Sequence, residues 1–227
     1  MIGILGAMDI EVDGLISAAT DIKKKVISGI TFYECKIHKK DVVIAKCGIG
    51  KVNSAMSCEA MILAFNPSLI INTGVAGSLS KTLKIGDIVV SEDVCQHDFD
   101  TSPVGDPIGL LPGINMVKIP ADNKAMDDFL KVAKKLGLNI ESGTVASGDQ
   151  FISSKEQKDF IVNNFSAIAC EMEGGSIGQV CCQNGTPFLV LRALSDSADE
   201  GAVSDYPTFA KKAAENSINM ILEYLKN

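Results

Sequence analysis

A single repeated unit constrains this chain more than any other feature. A short run, apolar on both faces, ends in glycine or a carboxylate and is followed by residues at helical spacing. The first such run covers 2–5, passes through Gly6-Ala7-Met8, and enters a helix from about Asp9 with Val12, Leu15 and Ile16 on one side. Residues 26–46 hold two β-rich runs around His38-Lys39-Lys40-Asp41, which predicts a hairpin. Gly48-Ile49-Gly50 then opens a helix over 52–64, and Pro67 closes it before a strand at 69–72. Strands follow at 88–90, 144–147, 167–170 and 188–194, with helices at 123–136, 155–163, 173–183 and 206–225. A long Gly/Pro-rich loop fills 98–120.

Strands buried on both faces and alternating with helices call for a central mixed, mostly parallel sheet flanked by helices. No composition break marks a linker, so residues 1–227 read as one α/β domain. In such sheets ligands bind beyond the carboxyl ends of the strands. Those ends carry Glu11 after the first strand, Gly74-Val75-Ala76-Gly77 after 69–72, and Gly148-Asp149-Gln150-Phe151-Ile152 after 144–147. Glu171-Met172-Glu173 and Ser195-Asp196 follow the last two strands. The expected site is therefore built from carboxylates and glycine turns.

Composition removes several function classes. The net charge is −7 and Arg192 is the sole arginine, so no concentrated positive face exists for nucleic acid. The lysine runs 23–25 and 39–40 read as solvated faces beside turns. No apolar run reaches the roughly 18 residues needed to span a bilayer, and MIGILGAMDIE lacks the basic region and cleavage site of a leader. The seven cysteines show no metal-ligand spacing and read as reduced core residues of a cytoplasmic protein. A cysteine nucleophile would need an imidazole partner, and only His38 and His97 are present.

Glycines after strands invite a nucleotide-phosphate reading, which fails on spacing. Gly3-Ile4-Leu5-Gly6 is not GxGxxG, and in Gly48-Ile49-Gly50-Lys51 the required first glycine is Ala45 and the magnesium hydroxyl is replaced by Val52. Glu173 reads either as a charge at a helix N-terminus or as an acceptor for ribose hydroxyls. Asp196 reads either as a cap with Ser195 or as a buried acid. Taken singly, neither is decided.

In register, the segments Gly6-Ala7-Met8 with Glu11, Asn72-Thr73-Gly74-Val75-Ala76-Gly77, Ser147 through Ile152, Glu171-Met172-Glu173 and Arg192 through Asp196 closely resemble bacterial 5′-methylthioadenosine/S-adenosylhomocysteine nucleosidases. The resemblance runs the length of the chain. It implies a nucleoside-phosphorylase-like fold, a homodimer, and adenine thionucleosides as ligands, with no metal or organic cofactor. It implies that Glu11 activates water and Asp196 protonates the departing adenine. By the same resemblance Glu173 and Met172 meet the ribose, Phe151 stacks on the base, and the Ile152 backbone reads its edge. Gly77 lies in the turn beside the purine, Ser195 belongs to the substrate-binding set, and Met8, Ile49 and Tyr206 line the sugar and alkylthio pocket.

The chemistry is self-consistent. Cleaving an N-glycosidic bond through an oxocarbenium-like sugar needs one group to protonate the base and one to activate water. The acid must keep its proton near neutral pH, which burial achieves by raising its pKa.

The chain departs from the family pattern at Val75, where many relatives carry serine, and in the loop 97–112. That loop in relatives reaches the partner's site, and Val104 and Asp106 here replace aromatics. His97 reads as structural. Rival readings are a phosphate-dependent phosphorylase of the same fold, an aminodeoxyfutalosine nucleosidase, and a nucleoside-binding module without catalysis. The first would want arginine for phosphate, and Arg192 reads instead as a partner for a site carboxylate. The last would be expected to have lost Glu11 or Asp196.

Overall fold

A computed structural model describes residues 1–226. Ten strands alternate with six helices: β1 (Ile2–Gly6), α1 (Asp9–Ser17), β2 (Thr20–Ile27), β3 (Ile30–Ile37), β4 (Lys40–Lys46), α2 (Lys51–Phe65), β5 (Leu69–Ser78) and β6 (Ile88–Gln96). The two-residue β7 (Ile119–Pro120) follows, then α3 (Asn123–Leu136), β8 (Ile140–Ser147), α4 (Lys155–Phe165), β9 (Ala167–Glu171), α5 (Gly174–Asn184), β10 (Phe188–Asp196) and α6 (Ala202–Tyr224).

All ten strands join one mixed sheet, ordered β10-β6-β8-β9-β5-β1-β4-β3-β2, with β7 on β6. An added pairing of β10 with β5 closes β5, β10, β6, β8 and β9 into a ring, and β1, β4, β3 and β2 extend from it. Parallel pairing accounts for β1–β4, β1–β5, β10–β5, β6–β8 and β8–β9. The antiparallel pairs are β10–β6, β2–β3, β3–β4, β5–β9 and β6–β7. Parallel pairing thus joins β5 to both β1 and β10, the strands that lead to Glu11 and end in Asp196, while antiparallel pairs occur both in the ring, at β10–β6 and β5–β9, and along the β2–β4 extension. Strands in the centre are buried on both faces, as β5 and β10 are throughout, and the apolar runs of the sequence follow from that.

Local sequence explains most element ends. Asp122 caps α3 by accepting from the Ala125 N–H at 2.7 Å, Lys134 and Lys135 sit in its last turn, and Gly137 ends it in the left-handed region. His38 takes a left-handed conformation in the β3–β4 turn, and the register Ile37↔Lys40 makes this the expected hairpin.

Three expectations need correction. The run 74–77 is not a turn after β5 but its second half, because Gly74 to Gly77 continue the pairing with β10 and reach β9. The lysines 23–25 stand on a strand, β2, rather than beside a turn, and that strand is exposed almost throughout. Helix α6 starts at Ala202, four residues before the expected Tyr206, with Pro207 inside it. Pro207 has no N–H to bond the Val203 carbonyl, and its ring crowds that carbonyl, a cost confined to the second turn of a 23-residue helix. In the loop 98–120 the chain makes a short 3-10 turn at Ser102–Val104 and a bridge between Leu111 and Met116. No helix among the described residues is long and apolar enough to cross a membrane.

Candidate active site

At the carboxyl edge of β1, β5, β8, β9 and β10 lies a cavity of about 270 Å³. Every residue singled out from the sequence lines it: Glu11, Asp196, Glu173, Met172, Phe151, Ile152, Gly77, Met8, Ile49, Tyr206 and Ser195. Val75, Ala76, Gln150, Cys170 and Glu171 complete the wall with Ala7. Tyr206 reaches it from the second turn of α6, where its hydroxyl contacts the Met8 sulfur at 3.2 Å and its ring meets Phe151 edge-on at 5.6 Å. Phe151 and Ile49 are half exposed, so the apolar side of the cavity is also its open side.

Glu11 is buried although it belongs to the first turn of α1. Its side chain folds back over the helix start, so one carboxylate oxygen accepts from the Ala7 and Met8 N–H groups at 2.7 and 3.0 Å. The other accepts from the Val75 N–H of β5 at 3.1 Å. Burial pushes its pKa above the ordinary carboxylate value, against the pull of the Arg192 charge and these three N–H donors. Residue 75 therefore serves Glu11 through its backbone, which serine or valine supplies equally.

Asp196 ends β10. The Ser195 hydroxyl donates to its Oδ2 at 2.8 Å and the Ala198 N–H donates to Oδ1 at 2.9 Å, so the cap reading and the buried-acid reading describe one arrangement. Burial raises its pKa, with the Ala198 and Ser195 donors opposing. Gly77 is required here, since a Cβ on it would sit 2.8 Å from Asp196 Oδ1 and 2.9 Å from the Ala198 Cβ. Glu11 thus leans on β5 at residue 75 and Asp196 at residue 77. These two strand positions, 75 and 77, lie roughly 7 Å apart along β5.

Beside the cavity lies a buried ion cluster in which Glu171, given no role by the sequence, is the main partner of Arg192. Arg192, on β10, bonds the Glu171 carboxylate and donates to Asn72 Oδ1 at 2.5 Å, with Glu173 Oε2 at 3.5 Å. Glu171 also accepts from Ser147 and from the Glu173 and Gly174 N–H groups at the start of α5. Burial alone would raise the Glu171 pKa, but Arg192 and these donors outweigh it and hold it below the usual value. Glu173, at the N-cap of α5, accepts from the Gly50 N–H at 2.9 Å. Burial first, and then the neighbouring Glu171 charge, push Glu173 up to about 8.

Glu171 was visible in the sequence, but its partner is 21 residues away on another strand. No spacing rule joins the two. Arg192 does pair with a site carboxylate, as the sequence reading held. Removing Glu171 (E171L) would leave Arg192 buried and short of its main counter-charge. The expected cost is ~3–5 kcal/mol of stability, read from the urea midpoint, and the released Glu173 would then titrate lower. An unchanged midpoint would show that the pair carries no stability.

His97 is buried at the end of β6, its ring packed where a Cβ on Gly148 would fall. No group of three or more His, Cys, Asp or Glu among the described residues is arranged to hold a metal ion.

A model of the phosphorylase superfamily matches residues 1–226. The chain is 38% identical over 226 residues to a 5′-methylthioadenosine/S-adenosylhomocysteine nucleosidase of Oceanobacillus iheyensis, covering 99% of this chain and 98% of that one. It is likewise 38% identical over 221 residues to an aminodeoxyfutalosine nucleosidase of Helicobacter pylori, covering 97% and 96%. Among solved structures it superposes on the 5′-methylthioadenosine/S-adenosylhomocysteine nucleosidase of Neisseria meningitidis in complex with methylthio-immucillin-A. The TM-score is 0.96 and the identity 36%, over 99% of this chain and 98% of that one.

Proposed function

The chain belongs to the phosphorylase superfamily, and from that membership and the carboxylates of its cavity we propose that it hydrolyses the N-glycosidic bond of 5′-methylthioadenosine and S-adenosylhomocysteine, releasing adenine. The observation that carries this reading is the pair Glu11 and Asp196, both buried, both raised in pKa, and spaced along β5. Asp196 protonates the departing purine, and Glu11 takes the proton of the attacking water. Glu173 receives the ribose hydroxyls, with Met172 beside the sugar. Phe151 stacks on adenine, which lies near Gly77, the Ile152 backbone meets its edge, and Ser195 completes the binding set through its bond to Asp196. Met8, Ile49 and Tyr206 surround the 5′-thio substituent. No metal or organic cofactor enters this scheme.

Hydrolysis is favoured over phosphorolysis by the charge of the site. A bound phosphate would join Glu11, Glu171 and Glu173, and the one guanidinium is already bonded to Glu171 and Asn72. Anion recognition by arginine needs a free fork. Adenine release from methylthioadenosine in phosphate-free buffer tests the point. Full activity without phosphate is expected, and strict dependence on added phosphate would overturn the hydrolase reading.

Aminodeoxyfutalosine is kept as a second substrate because the loop that would cover the 5′ substituent is unusual. Val104 is 82% exposed there, and Asp106 is bonded to Thr101 at 2.8 Å. Running methylthioadenosine, S-adenosylhomocysteine, 5′-deoxyadenosine and aminodeoxyfutalosine side by side separates the possibilities by kcat/KM.

The same reading makes the protein a cytoplasmic homodimer, with residues 97–112 reaching the partner's site, acting in methionine salvage. Support comes from Val52, Met56 and Leu63, which leave an apolar face of α2 exposed, and from seven cysteines that are all free.

A further inference from the structure

Behind the cavity wall three residues from three segments close a ring of hydrogen bonds. The Lys51 N–H donates to Asp149 Oδ1 at 2.8 Å, and the Asp149 N–H donates to Asp98 Oδ2 at 2.9 Å. Asp98 Oδ1 then meets the Lys51 ammonium at 2.6 Å. Lys51 opens α2, Asp98 follows β6 at the root of the long loop, and Asp149 follows β8. The Lys51 and Asp98 side chains are only 18% and 16% exposed, so water screens this pair less than a surface salt bridge. Burial works against ionised Asp98, but the Lys51 ammonium and the Asp149 N–H outweigh it and keep its pKa below the ordinary value.

The ring touches both halves of the proposed binding site without lining the cavity. One residue before Lys51, the Gly50 N–H holds Glu173. One and two residues after Asp149 come Gln150 and Phe151, on the opposite wall. The approach is close enough that a Cβ on Gly50 would fall 2.9 Å from Asp149 Oδ1, and Gly50 itself has a φ of +95°. Among the described residues, no other bonded ring of side chains ties the Gly50 loop to the Phe151 loop.

We propose that Lys51, Asp98 and Asp149 form a clasp that fixes the ribose-binding loop against the base-binding loop, making Lys51 a positioning residue for nucleoside binding. The clasp acts on binding more than on bond cleavage, because it joins the residue after Gly50 to the residue before Gln150 and bonds neither Glu11 nor Asp196. The inference rests on the nucleosidase reading for its kinetic arm only.

The test compares Lys51→Met, Asp149→Ala and Asp149→Asn with the unaltered protein, each first shown by circular dichroism to be folded. Lys51→Met and Asp149→Ala should raise the KM for methylthioadenosine by about tenfold, the scale of a lost charge-assisted hydrogen bond. Their kcat should stay within about threefold. Asp149→Asn should behave as the parent, since its amide oxygen still accepts from the Lys51 N–H. Backbone hydrogen exchange, measured without substrate, should quicken at 48–51 and 148–152 in Lys51→Met and Asp149→Ala alone. A Lys51→Met protein with unchanged KM, or with unchanged exchange in those two segments, overturns the clasp. If the unaltered protein released no adenine, the function would fail while the exchange experiment still decided the clasp.

Discussion

Replacing Asp196 with asparagine is expected to lower the turnover of adenine release by about 10²–10⁴-fold, the range a general acid supplies, while the protein stays folded. The surroundings tolerate the exchange. The Ala198 N–H can keep donating to the retained Oδ1, and the Ser195 hydroxyl, which now donates to Oδ2, can rotate to accept from an amide. What is lost is the proton. Because burial raises the Asp196 pKa, the acid form persists to higher pH than in an exposed aspartate, and kcat/KM should fall as pH rises through the titration of this group. The asparagine protein should lack this alkaline limb. The sign for stability runs the same way: a carboxyl with a raised folded pKa disfavours its ionised form in the native state, so its contribution declines as pH rises. That slope should vanish with the substitution. A folded variant with near-parental turnover would reject Asp196 as the acid.

Glu11→Gln is expected to cost a similar factor in turnover, and to cost stability as well. The two carboxylate oxygens accept from three backbone N–H groups, two on one side and one on the other. Glutamine offers one oxygen, so its NH₂ must face a donor. An unsatisfied buried donor costs about 1–3 kcal/mol, which a lower urea midpoint would register. In the pH profile the acid limb should disappear, since Glu11 must be ionised to accept the water's proton and its raised pKa sets where that happens. Retention of the acid limb in the glutamine protein would assign it to another group.

Much of this was legible from residue order alone, and the exceptions have physical causes. The buried strands announce themselves by apolar runs, and α3 spans the 123–136 that its helical periodicity predicts. β2 gives no such sign, because an exposed edge strand of Thr20, Asp21 and three lysines has no buried face to encode. The second half of β5 was hidden by Gly74 and Gly77, which serve close approach rather than turning. The site's carboxylates stood out because strand ends collect them. Glu171 escaped a role, and so did the Lys51–Asp98–Asp149 ring, because their bonds join distant segments.

β5 is paired on one side with β1, which leads into the helix carrying Glu11, and on the other with β10, which ends in Asp196. It works as a ruler whose graduations are peptide units: the proposed acid and base are each set against a numbered position on the same rigid rod. Loops around the rim, 97–112 among them, can vary without moving either mark. A scaffold of this kind keeps its reaction constant and leaves the choice of nucleoside tail free to drift.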